Sequence, residues 1–78
     1  MADPLLELFA QGLGVSTDVL DEDSSPETLE EWDSFAAMSL VVIIEDTFDV
    51  ALSTRDIMKM RTIGLARSVL RAKGVTGI

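Results

Sequence analysis

Cysteine, histidine and tyrosine are all absent from the 78 residues, and aromatic side chains make up only 5% of them. Without cysteine there is no disulfide, no thiolate zinc site and no catalytic thiol. Without histidine the usual general base and the commonest metal ligand are missing too. Carboxylates, Ser, Thr, Lys and Arg remain for chemistry, and they form no credible paired geometry along the chain, which argues against an enzyme. Positive charge is scarce: six Lys and Arg stand against fourteen Asp and Glu, a net charge of −8. That balance repels phosphate backbones and anionic headgroups, so nucleic acid and membrane surfaces are poor partners. Long apolar runs are lacking as well. The longest uncharged stretch, Ser34 to Ile44, falls well short of the roughly 20 residues of a membrane-spanning helix. No basic start followed by an apolar stretch marks the N-terminus, and the expectation is a soluble, cytoplasmic protein.

Apolar residues make up 47% and charged residues 26%, which is ordinary globular usage, so the chain has enough apolar surface to collapse. At this length the expectation is one small domain over 1–78, a monomer with no room for a deep substrate cavity. Charge is segregated along it. Residues 1–50 hold thirteen acids and no base, whereas all six bases and the remaining acid, Asp56, follow. One face is thereby offered to a basic partner.

The elements read as all-α. Asp3 before Pro4 is a helix start, an N-cap followed by proline at the first helical position, and Leu5, Leu8 and Phe9 form one stripe of a helix over residues 3–13. Gly14 is the better left-handed terminus, with Gly12 an earlier alternative. Residues 15–33 are a long acidic loop with Val15, Val19, Leu20, Leu29 and Trp32 as apolar anchors, and Ser25-Pro26-Glu27 is placed to begin a helical turn inside it. Residues 34–48 carry the strongest helical pattern, with Phe35, Met38, Leu40 or Val41, Ile44 and Phe48 as the inward stripe. Ser53 and Asp56 resemble a capping box for a short third helix over 54–60. Thr62 caps a last helix that buries Ile63, Ala66, Val69 and Leu70 and closes on Arg71, Lys73 and Gly74. The expected fold is a four-helix bundle with a long loop between helices one and two and a short third helix.

The informative junction is Glu31-Trp32-Asp33-Ser34-Phe35, where the acidic loop meets the start of the second helix. The free amides and dipole of a helix start stabilise an anion, so a phosphate ester on the Ser34 hydroxyl would be held there. Asp33 is placed to hold a divalent cation or to orient the serine. Spacing alone favours the plainer alternative, in which Ser34 is the N-cap and Asp33 a neighbouring acid. Asp21, Asp23 and Ser25 alternate like the start of a calcium loop, but Pro26 stands where the turn needs glycine and Trp32 where a glutamate must close the cage. No dedicated metal site is expected.

Asp33-Ser34-Phe35, followed by Met38, Leu40-Val41, Ile44, Glu45-Asp46 and Phe48-Asp49-Val50, resembles the Asp-Ser-Leu motif and second helix of acyl carrier proteins, and Leu13-Gly14-Val15 resembles the end of their first helix. The resemblance runs from about Leu5 to Lys73. It implies that Ser34 carries 4′-phosphopantetheine, added from coenzyme A by a magnesium-using phosphopantetheinyl transferase, with Asp33 in support. It further implies an acyl- or aminoacyl-loading ligase and downstream acyl-processing enzymes as partners. The missing cysteine ceases to matter, because the reactive sulfur belongs to the prosthetic group. Phe35 replaces the motif's leucine and is expected as a larger core anchor. Trp32 stands where housekeeping fatty-acid carriers have a small residue, and Ala36, Ala37 and Ser39 where those carriers often have acids. Residues 25–34 are similar instead to stand-alone carriers of bacterial pathways for specialised metabolites or surface polysaccharides.

Val42, Ile43, Glu45 and Asp46 should lie partly outside the core stripe, an apolar spot beside two acids that suits a basic enzyme surface. The same residues equally fit packing under the acidic loop and a solvated face, and the resemblance tilts Glu45 and Asp46 towards partner binding. An unmodified acidic adaptor docking through these four residues is the alternative to a carrier. Met38, Met58 and Met60 are expected as core filler, and Arg67 and Arg71 as complements to the last helix dipole and nearby acids.

Overall fold

The structure is a computed structural model, and it describes residues 3–78. Among them there are four α-helices and no strand: α1 (Pro4–Leu13), α2 (Ser34–Phe48), α3 (Thr54–Lys59) and α4 (Ile63–Ala72), with a single 3₁₀ turn at Thr17–Val19. The expected all-α four-helix bundle, its long first connection and its short third helix are all present.

Each helix starts on a side-chain cap. Asp3 Oδ1 accepts the amides of Leu5 (3.1 Å) and Leu6 (3.3 Å), satisfying two of the donors a helix start leaves orphaned. Ser53 and Asp56 make the reciprocal capping box, the Ser53 Oγ accepting Asp56 N–H at 3.1 Å and an Asp56 oxygen accepting Ser53 N–H at 3.0 Å. Thr62 Oγ1 accepts Leu65 N–H at 3.0 Å. At the other ends, Gly14 adopts φ 71° and lets Val15 N–H reach back to Ala10 O at 3.0 Å. α3 stops at Lys59, one residue before the expected Met60, because Thr62 must leave helical geometry to cap α4 and the chain turns between them. α4 closes as Val75 N–H donates to Leu70 O at 3.1 Å.

α1 runs past Gly12, whose role is contact rather than termination. A Cβ built there would sit 2.5 Å from Leu40 Cδ2, so the missing side chain lets α1 and α2 approach closely. Gly12→Ala is expected to lower stability by about 1–2 kcal/mol, because overpacking outweighs the roughly 1 kcal/mol gain in helix propensity. A urea midpoint equal to or above that of the parent protein would contradict this crossing.

The inward face of α2 departs from the expected stripe. Leu40 and Ile44 are buried, Ala37 and Phe48 pack against the core, and Phe35 and Met38 are exposed. Residues spaced by three drift about 60° per step around a helix turning about 100° per residue. Phe35, three such steps before Ile44, ends up half a turn away, and its bulk meets solvent instead of core. Trp32 fills the interior there: it is 5% exposed and stacks edge-on against Phe9, with ring centroids 5.2 Å apart. Among the methionines expected in the core, Met60 is half-buried and Met58 is exposed. Val69, expected in the α4 stripe, is half-buried.

The acidic loop is ordered by partners on α4. Leu20 and Trp32 enter the core, whereas Val19, on the 3₁₀ turn, points outward. Ser25-Pro26-Glu27 begins one hydrogen-bonded turn, with Leu29 N–H donating to Ser25 O at 3.0 Å. The first two amides of α4, at Ile63 and Gly64, donate to Ser24 O (3.2 Å) and Glu22 O (2.9 Å). One turn on, Arg67 is only 8% exposed. Its guanidinium donates to both Asp3 oxygens (3.3 and 2.7 Å) and both Glu22 oxygens (2.8 and 3.1 Å). Arg67 thus joins the cap of α1, the loop and α4, and the two carboxylates, Glu22 first, hold its proton more tightly than usual. Arg71 instead donates to Ile78 O at 2.9 and 2.6 Å.

Candidate functional site at the start of α2

Trp32 anchors the chain in the core, and two residues later Ser34 stands at the surface. Asp33 lies between them in extended geometry, and its Oδ1 accepts Ala36 N–H at 2.8 Å. Asp33 is therefore the N-cap and Ser34 the first helical residue, a correction by one position to the plainer sequence reading. The shift frees the serine, since a capping hydroxyl would be occupied with a backbone amide. Among the described residues Ser34 Oγ makes no hydrogen bond, and the amides of Ser34 and Phe35 donate to no protein acceptor.

The start of α2 shares two free amides with the short α3, at Thr54 and Arg55, and differs from α1, where Asp3 takes the amides of Leu5 and Leu6, and from α4, where loop carbonyls take the first two. A free hydroxyl beside two unpaired amides at the positive end of a helix fits a phosphodiester linkage. Asp33 Oδ2 accepts no hydrogen bond among the described residues, which leaves it able to ligate a cation. No group of three or more His, Cys, Asp or Glu side chains converges on a metal site among the described residues.

The face of α2 that leads away from Ser34 is apolar. Phe35 is 81%, Met38 73% and Val42 64% exposed, and they line one side of the helix with exposed Asp46 at its far end. Of the four residues expected to meet partners, Val42 and Asp46 lie on this open face. Ile43 and Glu45 are engaged within the fold: Ile43 packs against the core near Gly12, and Glu45 Oε2 accepts Leu52 N–H at 2.8 Å, fixing the α2–α3 connection. Sequence reasoning missed Phe35 and Met38 as surface residues. Helical angles counted back from Ile44 place them outside once Ile44 is known to be buried.

Two concavities flank α2. An open groove of about 660 Å³, lined by Glu7, Gln11, Ile43 and Thr47 among others, lies on the flank facing α1, away from Ser34. A cavity of about 50 Å³ lies on the other flank, between Trp32, Ala37, Val41, Ile57 and Met60. Ala37 and Val41 are three and seven residues after Ser34, on the same side of the helix. Among the described residues no helix is long and apolar enough to cross a membrane.

Residues 3–65 match a family described as a phosphopantetheine attachment site. The fold is similar to the solution NMR structure of a holo acyl carrier protein from Geobacter metallireducens, with a TM-score of 0.82 and 24% sequence identity, covering 91% of this chain and 82% of that one. The chain has no significant match among curated proteins.

Proposed function

Because the chain belongs to the phosphopantetheine attachment-site family, that of the acyl carrier proteins, and is a non-catalytic carrier of a covalent 4′-phosphopantetheine, we propose that Ser34 is its attachment point. The observation that carries the assignment is the exposed, unbonded Ser34 hydroxyl beside the free amides of Ser34 and Phe35. When bound, the group supplies a thiol that holds an acyl or aminoacyl unit as a thioester and presents it to partner enzymes.

The chain's own residues hold, orient and expose. The Ser34 and Phe35 amides, with the helix dipole behind them, stabilise the negative charge of the linkage. Asp33 keeps the helix start in register through Ala36 N–H, and its second oxygen is available to the magnesium of the phosphopantetheinyl transferase. Trp32 fixes the base of the junction, so the hydroxyl is presented at a constant place on a rigid surface.

The transferase, an acyl- or aminoacyl-loading ligase and the downstream enzymes would meet the face of Val42 and Asp46, extended towards Ser34 by Phe35 and Met38. Ile43 and Glu45 serve that face indirectly, by seating α2 on α1 and on the α2–α3 connection. Surrounding acids steer a basic partner, and a small apolar contact allows a short-lived complex. Such a carrier works as a cytoplasmic monomer that visits several enzymes in turn.

Incubation with coenzyme A, magnesium and a broad phosphopantetheinyl transferase is expected to raise the intact mass by one phosphopantetheinyl group, while Ser34→Ala stays unchanged. An unmodified parent protein, or an equal gain in Ser34→Ala, would refute the assignment.

A further inference from the structure

The groove of about 660 Å³ on the α1 flank of α2 plays no part in presenting Ser34. Ile43, on its wall, comes nine residues after Ser34, so at about 100° per residue it faces half a turn away from the serine. The floor is apolar. Leu8 and Ala10 are buried beneath it, and Val15 and Ile43 pack half-buried against the core. Exposed Glu7, Gln11 and Thr47 form the rim.

Three sources of negative charge meet at this groove, and no base opposes them. Glu7 forms no ion pair among the described residues. Gly14 and Val15 follow the C-terminal end of α1, and Thr47 lies in the last turn of α2. Each helix end carries negative partial charge, and neither last turn holds a Lys or Arg to offset it. All the lining residues come from positions 1–50, which contain no base. The complementary occupant is therefore cationic with an apolar body. A metal ion does not fit, because no three carboxylates converge among the described residues and an apolar floor offers no oxygen ligands. Shape narrows the occupant further. The groove runs along α1 from Pro4 to Gly14, and a helix of ten residues measures roughly 15 Å, the span of about four to five residues of extended chain.

We propose that this groove binds a basic peptide segment of a partner protein, laid along α1 with its apolar side chains on the floor and its Lys or Arg side chains at Glu7 and the two helix ends. A partner held there leaves Ser34 and the Phe35 face uncovered, so one protein retains the carrier while another works at the serine. The proposal stands whether or not Ser34 is the attachment point.

The test is a titration of the isotope-labelled full chain with acetyl-Lys-Leu-Arg-Leu-Lys-amide, followed by NMR at every backbone amide. Saturable shifts are expected at Glu7, Gln11, Val15 and Thr47, with affinity falling as salt rises. Gln11→Lys combined with Thr47→Lys sets like charge on the rim at two exposed helical positions and should weaken binding about fivefold or more. Ala51→Lys combined with Thr76→Lys adds the same charge at exposed positions outside the groove and should weaken it less than about twofold. The equally charged acetyl-Lys-Gly-Arg-Gly-Lys-amide, which has no apolar side chain for the floor, should bind at least about fivefold more weakly.

Equal affinity for the two peptides, equal losses in the two double variants, or shifts centred on the acidic loop or on Phe35, Met38 and Val42 would each overturn the proposal. Saturation of the same groove amides by spermidine would assign the groove to a small polyamine and overturn the peptide. With the first peptide at saturation, phosphopantetheinylation by coenzyme A and a broad transferase should proceed within about twofold of the rate without it. A block would place the peptide over the serine and overturn the proposal. No mass gain in either sample would refute the attachment point and leave the groove to be decided by the titration.

Discussion

Trp32→Ala is expected to lower the stability of this protein by about 3–5 kcal/mol, the range for truncating a buried large aromatic side chain. The indole is 5% exposed, packs edge-on against Phe9 at 5.2 Å, and forms a wall of an existing cavity of about 50 Å³. Its removal would merge the new void with that cavity, and the lining loses contacts it can regain only by collapse. A domain of this length has a total stability of roughly 4–12 kcal/mol, so the variant should sit close to its unfolding midpoint without denaturant. Urea unfolding followed by far-UV circular dichroism measures it. A loss below about 1 kcal/mol would mean that the ring is not the core element described here.

Arg67→Ala should rank next, with a loss of about 2–3 kcal/mol at neutral pH. Breaking a buried ion pair costs about 3–5 kcal/mol, and the discount reflects the partners' access to water, since the side chains of Asp3 and Glu22 are 33% and 55% exposed. The effect should depend on pH in a defined direction. The hydrogen bond from Arg67 holds the Asp3 carboxyl below its ordinary value of 3.8; desolvation by burial opposes this, and the Leu6 and Leu5 amides add to the lowering.

A carboxylate with a depressed folded pKa contributes stability that is present above its unfolded pKa and lost as pH falls through the folded one. Asp56, lowered to about 2 by hydrogen bonds from Lys73 and then Ser53, behaves in the same direction but does not involve Arg67. As the pH falls below 3.8 the parent protein should therefore lose both contributions, that of Asp56 through about pH 2, while Arg67→Ala loses the Asp56 part and only the share of the Asp3 part that the Leu5 and Leu6 amides supply. The gap between the two urea midpoints should shrink across that window. A constant gap would show that Arg67 acts through its packing and not through the Asp3 charge. Arg67→Lys should recover only part of the loss, because an ammonium cannot bridge two carboxylates with a planar fork.

These two residues illustrate how differently parts of the molecule could be read in advance. Trp32 was visible as a loop anchor and as a departure from the carrier pattern, because a lone indole among acids has few places to go but inward. Its partner Phe9 and its place in the cavity wall were not visible. Its place on α4 pairs Arg67 with a helix dipole and neighbouring acids, which names the right kind of partner but not the two that bind it. Its hydrogen bonds span 64 and 45 residues of sequence, and no local pattern encodes contacts of that range.

The residues at the start of α2 show the boundary most sharply. The Asp33-Ser34 pair could be located from spacing and resemblance, yet which of the two caps the helix differs by one residue and depends on where Trp32 holds the chain.

By itself the sequence determined the four helices, the caps of α1, α3 and α4, the left-handed turn at Gly14 and a serine at the mouth of the most apolar helix, because each depends on interactions within about four residues. Tertiary structure alone decided which face of α2 is buried, since Leu40 must fit the gap at Gly12 and Trp32 takes the space Phe35 would have filled. It also decided that the acidic loop lies across the start of α4, where unpaired amides and a guanidinium meet its carbonyls and carboxylates. Those contacts form only once distant segments are packed together, and the open face beside Ser34 is what that packing leaves uncovered.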